Sequence, residues 1–364
     1  MENHTPFVLA GIGIYKNNQW TTSKRKVFIG VILVYVILLL GFRYRVGMDT
    51  IGYMKSFDKA RDLAHFWTLR IFRERHEPGY LFVCAICKSI SKEFWVLQLV
   101  MASITNSCIF IFLYRYCRNV FVGIIIFFIL QWLYFSTEIM REGVAIGIFL
   151  LNYKNIEDRK WIRFYLLSLV SVSFHYSAII IWLFPFVKYL KFNIWYVLIC
   201  IGILAITPVI IKIGEILSFE TITDRIDKYV GKNFNYNLNW KIGEFIKAAF
   251  PAIIALAVGR FFKIHQYFKS ILLLQILLCI GAFAIPIIFS RFANYSSIFV
   301  TVSFANILCI KYLKPWLKTI LVCMLLTTQS YYYYKMYPAW VPYVSIFDQK
   351  YIRERELLWR SYFT

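Results

Sequence analysis

Apolar runs of roughly 16–22 residues recur from one end of the chain to the other, close to the ~20 residues that a helix needs to cross hydrocarbon. They are continuous rather than alternating, which argues against a barrel, whose strands alternate lipid-facing with lumen-facing residues. With 60% hydrophobic residues, 20% aromatic residues and a mean hydropathy of +0.61, the chain carries more apolar surface than a soluble domain needs. The expected fold is an all-α polytopic integral membrane protein.

Expected spans cover 27–42, 94–114, 120–135, 138–153, 162–174, 177–187, 194–213, 244–262, 270–289, 292–310 and 316–332. With the short run 6–15 as an abbreviated or interfacial helix, this makes about 11–12 helices. Met1 to Ile14 has no basic n-region and no small-residue cleavage site, so no removable signal peptide is expected. The formal charge of +22 would suggest nucleic acid in a soluble protein. Here much of it is topological. Clusters such as Lys24/Arg25/Lys26, Lys154/Arg159/Lys160/Arg163 and Lys311/Lys314/Lys318 fill short loops, the positive-inside pattern, and no nucleic-acid partner is expected.

Alternation from a cytoplasmic 16–26 loop organises residues 1–364 as one transmembrane domain. It leaves 43–93 and 214–243 as outer loops and 331–364 as an extracytoplasmic tail. The first outer loop interleaves both charge signs with apolar residues, the mark of amphipathic interfacial helices, and Pro78 opens an apolar stretch in it. The aromatic- and amide-rich stretch 233–240 of the second suits either sugar rings or a headgroup belt. The eight Cys are scattered. Cys84-Ala-Ile-Cys87 has no second pair or nearby His to complete a metal site, so its thiols read as small core residues.

Ionisable groups at the ends of apolar runs are functional suspects, because a charge there must be paired or line a polar cavity. The topology sends four such places to one face: Arg43-Tyr-Arg45-Val-Gly47-Met-Asp49, Glu138/Arg141, His175 and Arg291. Arg43 and Arg45 suit phosphate, with Gly47 allowing backbone approach; alternatively they snorkel and are neutralised by Asp49. Glu138 and Arg141 stand three apart and would share a helical face and pair. His175 lies between two short apolar runs, and Arg291 lies where two others meet, with Tyr295 one turn on. Converging arginines would bind one anionic group, and His175 or Asp49 would accept a proton, His175 being preferred because arginines near Asp49 keep it a poor base.

In order along the chain, Arg43-Tyr-Arg-Val-Gly47-Met-Asp49, Glu77-Pro-Gly-Tyr80, Arg141-Glu-Gly-Val-Ala145, His175-Tyr-Ser-Ala178, Arg291-Phe-Ala-Asn-Tyr295 and Trp340-Val-Pro-Tyr343 resemble the pattern of the EpsG-like, Wzy-type bacterial polysaccharide polymerases. That pattern usually has Gly-Thr-Asp-Tyr and Arg-Gln; here Met48 and Thr50 flank Asp49, and Glu142 replaces Gln. The resemblance implies a GT-C-like architecture and a bacterial inner-membrane enzyme whose site faces the periplasm or exterior. Such proteins join repeat units carried on undecaprenyl pyrophosphate into O-antigen, capsule or exopolysaccharide, and work beside a chain-length regulator. The expected catalytic residues are His175 and Asp49; Arg43, Arg45, Arg141, Arg291, Glu138, Tyr295 and Glu77 would bind substrate. No DxD or other Mg²⁺-binding pair stands out, so no metal or cofactor is expected. A ligase using the same donor, or a flippase for the same lipid, are the alternative readings.

Overall fold

The computed structural model describes residues 4–67, 76–190, 202, 238–259, 266–283, 285–348 and 351–357. Nearly all of the expected span 194–213 and of the loop 214–243, and the charged residues Arg70, Arg73, Glu74 and Arg75, lie outside them. The chain divides into two compact units, one of residues 1–182 with 333–364 and one of residues 183–332. Among the described residues there is no strand, and an isolated antiparallel bridge pairs Arg43 with Ser345.

The first unit contains α1 (Thr5–Lys16), α2 (Thr22–Gly41), α3 (Thr50–Lys59), α4 (Leu63–Phe66), α5 (Pro78–Ile90), α6 (Phe94–Tyr116) and α7 (Val120–Leu130). A π-helical turn (Tyr134–Glu138), α8 (Met140–Glu157), α9 (Trp161–Phe174) and most of a 3₁₀ segment (Tyr176–Leu183) follow. Local chemistry sets several starts. The Thr21 hydroxyl accepts the Lys24 amide at 3.4 Å, the Asn119 side chain accepts the Phe121 amide at 3.0 Å, and Pro78 stands in the first turn of α5, where its missing N–H costs nothing. At 12 residues, α1 is about 18 Å long, short of the ~30 Å hydrocarbon core.

The core of this unit is α6, which packs against α2 and α8, while α9 lies on α8. Polar residues inside these apolar helices turn to backbone or to one another: Asn152 donates to the Phe164 carbonyl at 2.8 Å and to the Ser168 hydroxyl at 3.2 Å. α3 is amphipathic, with Tyr53 and Phe57 buried against Tyr80, Leu97 and Met101 and its lysines outward. Cys84 and Cys87 are buried in that same apolar cluster, with free thiols.

The expected helix 138–153 is interrupted. After the π-helical turn, Ile139 leaves helical geometry at φ −110°, ψ 46°, and α8 begins at Met140. Gly143 makes room for this: a Cβ there would stand 2.7 Å from the Phe135 carbonyl. Glu138 and Arg141 therefore do not share a regular helical face, and the expected pair between them gives way to a Glu77–Arg141 pair.

The second unit holds α10 (Phe184–Val187), α11 (Leu238–Val258), α12 (Gln266–Gly281), α13 (Pro286–Leu308) and the first part of α14 (Pro315–Trp340). α11, α12 and α13 pack on one another. A buried polar thread joins them: the Ser296 hydroxyl donates to Gln275 at 2.5 Å, and Gln275 donates to the Ala248 carbonyl at 3.4 Å. Lys247 pairs with Glu244 at 2.6 Å and sits 3.7 Å from the Tyr332 ring centre. Pro286 starts α13, so the break falls before 286, earlier than the expected 289–292. Arg291 accordingly lies inside a helix rather than at a junction. α6 and α13, of 23 residues each, are long and apolar enough to cross a membrane.

Gly47 adopts φ +108°, and a Cβ there would lie 2.7 Å from Cβ of Thr137. We expect Gly47→Ala to destabilise the protein by roughly 1–3 kcal/mol, read as a lowered thermal midpoint in detergent; an unchanged midpoint would show that this turn relaxes freely.

Candidate active site

The chain after α2 turns sharply at Arg43–Gly47 and delivers Asp49 as the N-cap of α3. The Asp49 amide donates to Glu138 Oε2 at 3.2 Å, while Glu138 Oε1 accepts the Trp340 indole N–H at 2.9 Å and the Thr137 hydroxyl at 3.0 Å. Glu138 is thus a buried organiser of the turn. Arg43 is equally buried: its guanidinium donates to the carbonyls of Val46, at 3.3 Å, and Leu40, and approaches Met140 Sδ at 3.0 Å. Burial pulls it down to about 10, so it stays charged at neutral pH. Arg45 pairs with Glu356 at 3.3 Å.

Glu77, the N-cap of α5, is only 4% exposed. One of its carboxylate oxygens pairs with Arg141, and the other meets His175 Nδ1 at 2.7 Å. His175 caps α9 and is buried, with its Nε2 3.6 Å from Glu142. As a carboxylate Glu77 can only accept, so Nδ1 of His175 carries the proton of this hydrogen bond. Arg141 also meets His76 Nδ1 at 3.2 Å, and its guanidinium carbon lies 5.4 Å from the Tyr80 ring centre and 5.9 Å from that of Tyr53. Its Nε is buried without a hydrogen bond among the described residues.

A cavity of about 710 Å³ opens on this group. Arg141, His76, Tyr53, Asp49, Lys55, Lys59 and Arg61 are among the residues that line it. Lys55 and Lys59 stand four apart on the polar face of α3, with Gly52 and Ser56 beside them. Lys55, Lys59, Arg61 and Arg141 against Asp49 and the Glu77 behind Arg141 leave two positive charges. Such a surface favours anionic groups. Among the described residues no group of three or more His, Cys, Asp or Glu could hold a metal ion.

Of the residues singled out from sequence, Asp49 and Arg141 line the cavity, and Glu77 and His175 stand directly behind Arg141. Glu138 touches the cavity only through the Asp49 amide, and Arg43 and Arg45 are engaged in the turn beneath. Arg291 and Tyr295 belong to the second unit, where Tyr295 is buried and Arg291 is half-buried with no ion pair among the described residues. Sequence reasoning missed Lys55, Lys59, Arg61 and His76 as a group. The signal was the spacing Gly52/Lys55/Ser56/Lys59, which puts all four on one helical face opposite Tyr53 and Phe57.

An all-helical architecture among the described residues, with two helices long and apolar enough to cross a membrane, points to a membrane protein. The chain matches the EpsG family over residues 26–345 and belongs to it. EpsG is a Wzy-like polysaccharide polymerase family, and the chain is a polysaccharide polymerase of that general kind. No curated protein and no solved structure matches it.

Burial raises the pKa of Glu77, but the hydrogen bond from His175 and the charge of Arg141 outweigh it and hold the group at about 2, below its usual 4.5. The ionised carboxylate therefore stabilises the fold above pH ~4.5, and that contribution fades as the pH falls towards 2. Glu77→Gln should lower the thermal midpoint at pH 7 and lose most of that difference at pH 3. A difference that stays constant with pH would mean that Glu77 carries no charge in the folded protein.

Proposed function

We propose that this polymerase transfers a growing glycan from undecaprenyl pyrophosphate to a sugar hydroxyl of another lipid-linked repeat unit. On this reading the protein is multi-pass, with about 11–12 helices in a GT-C-like arrangement. It lies in the bacterial cytoplasmic membrane with the cavity on the outer face, beside a chain-length regulator. The observation that carries the reading is the cavity itself, about 710 Å³, lined by Lys55, Lys59, Arg61 and Arg141 together with Asp49.

The donor is a diphosphate diester with two ionised oxygens, matching the two uncompensated charges. In the transfer the acceptor oxygen bonds to the anomeric carbon, the bond from that carbon to the diphosphate breaks, and its electron pair leaves with the lipid diphosphate. The hydroxyl proton goes to a base. The cavity supports Asp49 for that role over His175: Asp49 lines it, whereas His175 is buried behind Glu77 and Glu142. His175 then fixes Glu77, and Glu77 fixes Arg141. Arg141 stabilises charge growing on the leaving oxygen, Lys55, Lys59 and Arg61 hold the rest of the diphosphate, and Arg291 keeps its place as a further contact through the resemblance. Diphosphate is already a good leaving group, so positioning and electrostatics suffice without a metal.

Purified protein in liposomes, given synthetic lipid-linked repeat units, should make polymers whose length is read by mass spectrometry. Arg141→Lys, which keeps the charge but not the planar fork, should remain on the order of a hundredfold slower. Asp49→Asn should lose roughly 10²–10⁴-fold, the range for a general base. Wild-type rates for either variant would remove that residue from the chemistry. Transfer of whole glycan to a different acceptor without elongation would mark a ligase, and movement of intact lipid across the bilayer a flippase. A chelator should leave polymer length and rate unchanged; loss of polymer, restored by Mg²⁺, would overturn the metal-free reading.

A further inference from the structure

The turn that delivers Asp49 is held from the far end of the chain. Tyr44 N–H donates to the Val344 carbonyl at 2.7 Å, Ile346 N–H to that of Phe42 at 2.9 Å, and Gly47 N–H to that of Ala339 at 3.0 Å. Residues 351–357 then form a helical turn that crosses this seam. Arg355, 1% exposed, sends its guanidinium into it. Nε donates to the Arg45 carbonyl at 3.2 Å, Nη1 to those of Pro338 and Val341 at 3.1 and 3.2 Å, and Nη2 to that of Ala339. Glu356 accepts the Tyr44 hydroxyl at 2.7 Å and pairs with Arg45 at 3.3 Å. Burial pulls Arg355 down to about 10, so the clasp stays charged at neutral pH.

A planar fork with five donors suits this place. It reaches one carbonyl on one side of the seam and three on the other, whereas a lysine ammonium gathers its donors at a single point. The gripped residues lead straight to the cavity: Asp49 stands two residues after Gly47, Trp340 holds Glu138, and Glu138 holds the Asp49 amide. Arg355 and Glu356 also lie beyond residue 345, where the match to the family ends.

We infer that Arg355 is a positioning residue for the cavity: it clasps the 338–341 turn to the 43–47 turn and so sets where Asp49 and the lysine face of α3 stand. Its effect on activity rests on the cavity being the site of transfer; its effect on structure does not. The test is hydrogen exchange on the full-length protein in liposomes, with elongation kinetics on the same samples. In Arg355→Gln, exchange over 43–59 should quicken about tenfold or more while 94–116 stays as in the wild type, and KM for the lipid-linked repeat should rise more than kcat falls. Arg355→Lys should restore neither. Unchanged protection over 43–59, equal loss over 94–116, or full rescue by lysine would each overturn the assignment. Should Arg355→Gln fail to fold, Glu356→Ala, which removes the acceptor of Tyr44 and Arg45, carries the same readouts and the same expectations. A wild-type protein that makes no polymer would sink the functional reading, and the exchange comparison would still decide the clasp.

Discussion

The rest of the site depends on one buried carboxylate shared by two partners. Glu77 has almost no contact with solvent, and an isolated charge there would cost several kcal/mol. Arg141 and His175 each take one of its oxygens, so the charge is compensated from two directions. The partners come from different helices, so the same contact fixes the start of α5 against the start of α8 and the end of α9. Arg141 consequently reaches the cavity in one orientation, flanked by the rings of Tyr53 and Tyr80. Remove the carboxylate, and a half-buried guanidinium loses its counter-charge while His175 loses the acceptor that sets its tautomer.

The helices were largely legible because hydropathy reports burial in protein or lipid alike. α6 and α9 fall within a residue or two of the apolar runs that suggested them, and Pro78 marks the start of α5. What hydropathy does not report is register. The spans 120–135 and 138–153 read as regular helices divided at 136–137, yet the backbone there passes through a π-helical turn over Tyr134–Glu138 and a break at Ile139. The three-residue spacing of Glu138 and Arg141 therefore misled: one faces Asp49 and Trp340, the other Glu77.

Arginines show the same limit more sharply. Arg43 and Arg141 look alike in the sequence, each at the edge of an apolar run, and only tertiary contacts separate them. Arg43 meets backbone carbonyls of its own turn, and Arg141 meets a carboxylate 64 residues away and keeps a face on the cavity. Lys55 and Lys59 carried a readable signal, their common face on an amphipathic helix, but it was submerged in a loop dense with both charge signs. Arg355 carried none, since nothing local distinguishes it from Arg353 beside it.

The balance of charge bears on turnover as well as on binding. In the proposed transfer the departing lipid diphosphate would gain a third negative charge when the anomeric bond breaks, so a cavity tuned only for tight anion binding would retain its product. Two features work against that under the proposed transfer. Arg141 is already compensated by Glu77, so its pull would grow mainly on the bridging oxygen as charge develops there rather than on the whole diphosphate. Lys55, Lys59 and Arg61 are exposed, where water and salt weaken each contact and allow exchange. Strong, oriented stabilisation at the reacting bond and weak, replaceable contacts at the rim together suit an enzyme that must release one lipid before it can accept the next.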